Sequence, residues 1–371
     1  MDNFPSPLPP FIINSVRIPA GAEIVTDPDE EVFLLYSELQ RTKSNSTSTD
    51  GISSSRSTTT TTALDQPQYR GLGHVDSRRN VLSVVIELKG GEEEKDVPQL
   101  PASEIERHYK SAKRARTREK KKKKIRYIED KTIEIDLVQD VTGLRSRKGD
   151  TGSVLWHASV DFARFVLQQA HSRSPECIFN LEMLKHQHIL ELGAGTGILS
   201  ILFSPLCHQY TVTDIEELVP LIQKNVELNV PKGSGLSSNI QVLPLDWVAL
   251  KNTPPARRHL LLPFSLQEKV AEEQTATPVD ILLVVDCIYH PSLLPPLIET
   301  INYLTRPNKK TIVMVVVELR SDQVVREFLE LWIDSGNQSS MKWKIYRCPL
   351  GIIAGPYVVW IGWKEESNNN L

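Results

Sequence analysis

The sequence predicts an α/β protein whose core is a doubly wound, mainly parallel β-sheet. Short continuous runs of Val, Ile and Leu recur from Thr151 onward, as expected for strands that are buried on both faces. Stretches with the apolar spacing of helices separate these runs, and a glycine-rich turn follows the first of them. Strands that alternate with helices in this way form parallel sheets with helices on both faces.

Residues 139–371 carry this pattern and are predicted to form the main domain. Near its start, VDFARFVLQQA has the spacing of an amphipathic helix. The strand-like runs that follow are HILEL, TVTDI, IQVLPL, DILLVVD and TIVMVVVEL. A loop with Pro and Gly joins the last two strand-like segments, KWKIYRC and YVVWIGWK, which predicts a C-terminal antiparallel hairpin.

Residues 1–138 are predicted to form a β-rich N-terminal extension. EVFLLYSEL is consistent with a short helix, and residues 80–88 have the β-branched richness of a strand. Residues 131–138 alternate like a half-buried strand. Residues 41–63 are mostly Ser and Thr, so they bury too little apolar surface to fold and are predicted to be disordered.

A second flexible insertion is predicted at about residues 107–126, which form a strongly basic run. Such a run is a solvated loop, a contact for ribosomal RNA or a ribosomal surface, or a nuclear localisation signal. The sequence leaves these alternatives open.

Composition limits the class of protein. Hydrophobic residues make up 40% of the chain, charged residues 24%, and the formal net charge is −3, which is ordinary for a globular protein. No apolar run reaches the length of a membrane span, and the acidic, proline-rich start lacks the features of a secretory signal. The cysteines lie far apart, without metal-ligand spacing. We therefore expect reduced thiols, no metal, a cytoplasmic and possible nuclear location, and a monomer.

The glycine-rich turn carries the first functional signal. Gly193, Ala194 and Gly195 follow a strand-like run, and Gly197 precedes a predicted helix. A dinucleotide-binding turn requires its third glycine at position 198, which is Ile. The G-x-G-x-G form after Glu-Leu resembles motif I of class I methyltransferases, whose cofactor is S-adenosyl-L-methionine. The helix N-terminus would then face the methionine carboxylate of that cofactor.

Two further positions are predicted on the cofactor side. Asp214 ends the next strand, where an acidic residue accepts hydrogen bonds from ribose hydroxyls; the alternative is a helix cap. In class I methyltransferases the loop after the third parallel strand lies beside the adenine. There Trp247 is expected to pack on the purine and Asp246 to meet its amine, with a structural Trp as the alternative.

Asp286 and Tyr289 are the candidate catalytic residues. Asp286 ends the run DILLVVD, and the ends of central strands are where α/β enzymes place ligand-facing groups. Tyr289 follows three positions later, and His290 is interpreted as a turn residue. The alternative is that Asp286 caps a helix and Tyr289 only packs.

In this order, TGSVLWHAS, ILELGAGTGILS, TVTDI, LDW, DCIYHPSLLPPLIETI and VELRSDQVVREFLE resemble methyltransferase family 16, the seven-β-strand protein-lysine methyltransferases. The resemblance covers the chain from about residue 139. It implies a class I methyltransferase, Rossmann-like fold and places Asp286 to Tyr289 beside the acceptor. The cofactor contacts that it implies are Trp156, Gly193, Ala194, Gly195, Asp214, Trp247 and Val285.

The same resemblance implies a protein-lysine N-methyltransferase that acts on a folded partner. Similarity to the fungal ribosomal members of the family implies a ribosomal substrate, large-subunit protein L1. Methylation of a chaperone or another non-ribosomal protein is the first alternative. A methyltransferase for RNA or a small molecule, and an inactive interaction protein with this fold, are the others; the strand end reads Asp-Cys-Ile-Tyr rather than the Asn-Pro-Pro-Tyr of enzymes that methylate base amines.

Overall fold

The structure is a computed structural model that describes residues 9–47, 73–91, 127–142, 151–230, 239–262, 278–305, 311–337 and 341–366. Its strands are β1 (Phe11–Ile13), β2 (Val16–Ile18), β3 (Glu23–Ile24), β4 (Val81–Leu88), β5 (Lys131–Val138), β6 (His188–Leu192), β7 (Gln209–Asp214), β8 (Ile240–Pro244), β9 (Ile281–Val285), β10 (Ile312–Glu318), β11 (Met341–Arg347) and β12 (Tyr357–Glu366). Its α-helices are α1 (Pro28–Thr47), α2 (His157–His171), α3 (Leu181–Leu184), α4 (Ile198–Phe203), α5 (Val219–Asn229), α6 (Trp247–Asn252), α7 (Leu294–Leu304) and α8 (Asp322–Asn337).

An eight-stranded sheet organises the chain, in the order β3-β11-β12-β10-β9-β6-β7-β8. The five strands from β10 to β8 are parallel, and the chain reverses its direction of winding between β6 and β9. Strands β11 and β12 form the antiparallel hairpin at the C-terminus. This order is that of class I methyltransferases, so the predicted fold class is confirmed.

Two apolar layers cover the sheet. Successive residues of β9 enter opposite layers: Ile281 and Leu283 pack in one cluster, and Leu282 and Val284 pack in the other. All of these side chains are at most 1% exposed. Burial on both faces explains why the central strands are continuous apolar runs in the sequence.

The antiparallel pair β4–β5 forms a separate small sheet that packs on the main domain. Its register runs from the Val81–Val138 pair to the Leu88–Lys131 pair, and alternate residues are buried. Two amide side chains of α5 attach it, because Asn225 accepts a hydrogen bond from the Val138 N–H (2.7 Å) and Asn229 accepts one from the Asp136 N–H (3.1 Å). Both strands were predicted. The proposed domain division at residue 139 remains a prediction.

Helix α1 differs from the prediction. A short helix over EVFLLYSEL was expected, with disorder from residue 41, but the helix runs from Pro28 to Thr47. A helix that has nucleated extends readily by one residue at a time, so the first Ser and Thr residues continue it. The rest of the Ser/Thr stretch and the basic run 107–126 lie outside the described residues. None of the described helices has the length and apolarity that a membrane crossing needs.

A buried ion pair ties α1 to the sheet. Arg347 of β11 donates from Nε to the Glu31 carboxylate (3.1 Å), and both side chains are at most 7% exposed. The Trp360 indole also donates to Glu31 (2.8 Å), and Arg347 pairs with Glu23 of β3 as well. Burial raises the pKa of Glu31, although the Trp360 hydrogen bond and the Arg347 charge oppose that shift.

We predict that Arg347→Ala lowers the free energy of unfolding by about 3 kcal/mol, because it leaves the buried Glu31 carboxylate without its charge partner. The control is Arg326→Ala, which breaks the solvent-exposed pair between Arg326 of α8 and Asp29 of α1. Exposed pairs contribute less than about 1 kcal/mol. Urea unfolding of both variants measures the difference, and equal losses would contradict the prediction.

Candidate active site

One cavity of about 310 Å³ opens at the carboxyl ends of β6, β7 and β9. It lies where the strand order reverses, which is the usual ligand position in open α/β sheets. The nine predicted site residues all line it: Trp156, Gly193, Ala194, Gly195, Asp214, Trp247, Val285, Asp286 and Tyr289. Positions spread over 134 residues of sequence are thus brought together by the fold.

The glycine turn after β6 is too crowded for side chains. Gly193 and Gly195 have φ angles of 63° and 59°, which glycine adopts without strain. A Cβ at Gly193 would lie 2.8 Å from the Cys287 sulfur, and one at Gly195 would lie 3.0 Å from the Gly152 carbonyl oxygen. The turn is therefore in close contact with the residue 151–153 segment above it, and its backbone faces the cavity directly.

Asp214 is fixed against this turn. Its Oδ2 accepts the Gly195 N–H and its Oδ1 accepts the Ile215 N–H, both at 2.8 Å. Carboxylate oxygens accept hydrogen bonds, so hydroxyl groups are donors of the type that this side chain can bind. The carboxylate is oriented by the backbone before any ligand arrives.

Trp247 forms the opposite wall at the start of α6. Its ring lies over Gly193, where an added Cβ would be 3.0 Å from two ring carbons. Its buried Nε1 has no hydrogen-bond partner among the described residues. The adjacent Asp246 caps α6, since its Oδ1 accepts the Val248 and Ala249 N–H groups at 2.7 and 3.1 Å. The expected contact of Asp246 with adenine remains a prediction beside this capping role.

Glu191 is buried in β6, two residues before the glycine turn. It is 2% exposed and accepts a hydrogen bond from the Tyr210 hydroxyl (2.8 Å). Burial raises the pKa of Glu191 to about 8; the Tyr210 hydrogen bond lowers it and the Asp214 charge raises it further. The Glu191 side chain is therefore mostly neutral near pH 7.

Asp286 has an unusual backbone and an unforeseen partner. Its φ is 58°, in the left-handed region that few residues other than glycine adopt. Its N–H donates to the Val316 carbonyl (2.7 Å), and its side chain is only 5% exposed. Both carboxylate oxygens accept from Arg320, at 2.7 Å each. The capping alternative is wrong, because the next helical turn begins at Pro291 and is capped by His290.

Arg320 was not singled out from the sequence. It also donates to Glu318 (2.8 Å), and its guanidinium carbon lies 5.2 Å from the centre of the Trp156 ring. Burial lowers the pKa of Arg320, but the Asp286 and Glu318 carboxylates outweigh burial and leave that pKa raised. One signal was available: Arg320 follows the end of a parallel strand next to β9, the same rule that selected Asp286.

Tyr289 and Trp156 complete this end of the cavity. Tyr289 is 37% exposed at the rim. Trp156 donates from its indole to the Thr151 carbonyl (2.7 Å), and the His74 ring packs edge-on against it at 6.1 Å. His290 accepts from the Ser292 N–H (3.3 Å), as expected of a turn residue. Arg320 lies between Trp156 and Asp286 and contacts both of them.

The residues at the glycine end fit S-adenosyl-L-methionine. A bare backbone turn leaves room for the amino-acid part, an oriented carboxylate suits the ribose, and a tryptophan ring with an unpaired N–H suits a heteroaromatic base. The cavity is also large enough for a ligand of about this size.

Comparison with known proteins agrees with this reading. The model of the family described as lysine methyltransferase, methyltransferase family 16, matches residues 139–332. EEF1A lysine methyltransferase 3 of Xenopus tropicalis is 30% identical over 148 residues, 39% of this chain and 53% of that protein. Ribosomal lysine N-methyltransferase 5 of Candida glabrata is 25% identical over 240 residues, 53% of this chain and 68% of that protein.

A third relative carries a different name. Diaminohydroxyphosphoribosylamino-pyrimidine deaminase of Schizosaccharomyces pombe is 29% identical over 197 residues, 53% of this chain and 41% of that protein. The chain spans about half the length of several curated relatives, from 36 to 62%. The names of these relatives therefore describe proteins that extend beyond the matched region.

The family model covers more than half of the 371 residues, and the matched region contains the glycine turn, Asp214, Trp247 and Asp286. The chain therefore belongs to methyltransferase family 16, the lysine methyltransferases, whose cofactor is S-adenosyl-L-methionine.

Proposed function

We propose that the chain transfers a methyl group from S-adenosyl-L-methionine to the side-chain amine of a lysine in another protein. One observation carries the proposal: a single cavity has a glycine turn and Asp214 at one end, and an acidic and aromatic cluster around Asp286 at the other. The first end suits the cofactor. The second suits a cationic acceptor, since a lysine side chain carries both a charge and an apolar stem.

At the cofactor end, we assign backbone contacts to Gly193, Ala194 and Gly195, ribose hydroxyls to Asp214 and adenine to Trp247. Val285, 5% exposed at the end of β9, would add an apolar contact. When bound, the cofactor supplies a methyl group on a positively charged sulfur. The residues of the chain have to hold that group facing the acceptor and exclude water.

At the acceptor end, the site has to bind a lysine ammonium and let it lose a proton, so that a neutral amine forms. Free lysine has a pKa near 10.4, yet only the neutral amine is a nucleophile. Asp286 would attract the ammonium and hold the amine in line, while Tyr289 and Trp156 would enclose its apolar stem. Fixing two reactants in this geometry can contribute roughly 7 to 11 kcal/mol to lowering the barrier. The proton would leave to solvent through the open rim beside Tyr289.

For the acceptor we propose a ribosomal protein, with large-subunit protein L1 as the first candidate. Similarity to ribosomal lysine N-methyltransferase 5 supports this choice. The name EEF1A lysine methyltransferase 3, of a relative at 30% identity, supports a non-ribosomal acceptor as the competing candidate. The basic run at 107–126 would contact ribosomal RNA if the acceptor is ribosomal. For the location we propose the cytoplasm, with the nucleus as the alternative.

The decisive experiment is a labelled-cofactor assay on an extract of cells that lack this protein. We expect the purified chain to label one protein band, on lysine, and mass spectrometry identifies it. If RNA is labelled instead of protein, the acceptor is an RNA and the proposed protein acceptor is wrong. A chain that binds cofactor and labels nothing would support the alternative of an inactive interaction protein.

The glycine turn should not accept a side chain at position 195. Gly195→Ala should weaken S-adenosyl-L-methionine binding at least tenfold, because its Cβ displaces the Gly152 segment. The control is Gly351→Ala, where φ is 79° but no atom lies within 4 Å of the new Cβ. Both should lose about 1 kcal/mol of stability from the left-handed backbone. Calorimetric titration with cofactor separates them, and equal affinities would remove the turn from the site.

The carboxylate of Asp286 should matter for turnover at the proposed acceptor end. Asp286→Asn should lower turnover by 10²- to 10⁴-fold, on the scale of a lost positioned catalytic group. Asn tolerates the φ of 58°, so the backbone should hold and cofactor affinity should change less than threefold. The control is Asp246→Asn, in which Asn preserves the cap of α6 and turnover at saturating cofactor should persist. Full turnover by Asp286→Asn on the labelled band would exclude a catalytic role.

A further inference from the structure

Residues 73–79 of the N-terminal extension lie directly behind two residues that line the cavity, Trp156 and Arg320. His74 forms an antiparallel bridge with Trp156, and the rings of these two residues pack edge-on with their centres 6.1 Å apart. Gly73 lies against the Arg320 guanidinium, because a Cβ at Gly73 would be 2.4 Å from its Nη2. The family model matches residues 139–332, so these contacts come from outside the matched region.

Backbone hydrogen bonds fix this segment beside Trp156. The Gly73 carbonyl accepts the His157 N–H, and the Val75 N–H donates to the Leu155 carbonyl, both at 2.9 Å. His157 is the first residue of α2, and the side chain of Trp156 does not cap that helix. The first N–H groups of a helix have no partner within the helix, so Gly73 supplies an acceptor for one of them. The segment therefore holds both chain neighbours of Trp156.

The side chain of Gln139 anchors the rest of the segment. Its Nε2 donates to the carbonyls of Asp76 and Arg79, at 2.8 and 2.7 Å, and its Oε1 accepts the Leu155 N–H at 2.7 Å. Gln139 is 3% exposed, and both of its donor positions and its acceptor are in use. A satisfied buried amide of this kind is a rigid connection. It joins residues 76–79 to the part of the chain next to Trp156.

Gly73 leaves no room for a side chain. Its φ is 94°, and a Cβ there would lie 2.4 Å from Arg320 Nη2 and 2.7 Å from Glu318 Oε2. Arg320 cannot move away without losing contacts, because its guanidinium donates to both oxygens of Asp286 and lies 5.2 Å from the centre of the Trp156 ring. A side chain at position 73 would therefore displace Arg320 from Asp286, from Trp156, or from both.

We propose that residues 73–75 form a back wall of the active site and that Gly73 is a positioning residue, which sets where the Arg320 guanidinium lies. Gly73 stands behind the cavity lining and acts through Arg320 on Asp286 and Trp156. The inference rests on the proposed methyl transfer to lysine and extends it to a part of the chain outside the family model. The N-terminal extension then belongs to the catalytic machinery.

The first test compares Gly73→Ala with Gly21→Ala. Both glycines have a positive φ, 94° and 77°, so both variants should lose similar stability, but a Cβ at Gly21 meets only Pro349, at an ordinary 3.7 Å. Turnover on the labelled acceptor should fall about 10- to 100-fold in Gly73→Ala and stay within about twofold of wild type in Gly21→Ala, because small misplacements at an active site are costly. Calorimetry should show little change in cofactor affinity for either variant.

A double-variant cycle shows whether the effect of Gly73→Ala passes through Arg320. In the Arg320→Ala background, Gly73→Ala should lower turnover by less than about twofold, because the guanidinium that the Cβ displaces is already gone. Losses that multiply in the double variant would mean that the two residues act independently, and they would overturn the proposal. Full turnover in folded Gly73→Ala would overturn it as well.

A spectroscopic measurement does not need the acceptor. The protein has 6 tryptophans, and after isotope labelling of tryptophan the indole N–H signal of Trp156 is the one that Trp156→Phe lacks. We expect this signal to move in the same direction in Gly73→Ala and Arg320→Ala, because both take the guanidinium away from the ring, and to stay in place in Gly21→Ala. An unmoved signal in Gly73→Ala would overturn the proposal. If no acceptor is labelled, the proposed function fails, while this signal still decides whether Gly73 positions Arg320.

Discussion

The parallel direction of the central strands is the constraint on which this site depends. Because β6, β7, β9 and β10 run the same way, their carboxyl ends reach one edge of the sheet, and the winding reverses between β6 and β9. No connecting helix covers the edge at a reversal, so a crevice forms there. Each strand delivers one functional element to it: a bare turn from β6, Asp214 from β7, Asp286 from β9 and Arg320 after β10. The proposed division into a cofactor end and an acceptor end matches this order of strands.

Much of this arrangement could be predicted because it depends on local pattern. Apolar runs identified the buried strands, and the end of each run identified the side chain that reaches the crevice. The glycine spacing separated a methyltransferase turn from a dinucleotide turn. What could not be predicted depends on contacts between distant segments. The pairing of β3 with β11 brings Glu23 and Arg347 together across 324 positions, and the salt bridge of Glu31 with Arg347 spans 316. Nothing in either local segment specifies the other. The longer α1 was missed for another reason, since weak helix formers continue a helix that stronger residues upstream have begun.

Arg320 illustrates the limit of motif-based prediction at the site itself. A short acidic-x-x-aromatic motif draws attention to Asp286 and Tyr289, and the carboxylate is then imagined as free to receive a substrate. In the folded chain both of its oxygens are already bonded to a guanidinium from another strand end. A motif read along one segment records the residue and omits its partner. The same strand-end rule, applied to every parallel strand rather than to the motif alone, would have included Arg320.

The buried charges also separate two kinds of carboxyl group within one fold. Glu191 is wholly enclosed with a hydroxyl as its partner, so burial dominates and raises its pKa to about 8. Asp286 is almost as inaccessible to solvent, yet it faces a cation at 2.7 Å on each oxygen. The two buried acids therefore differ in their partners, which are a hydroxyl for Glu191 and a guanidinium for Asp286. Since Arg320 also contacts Glu318, changing any one of these three residues alters the contacts of the other two.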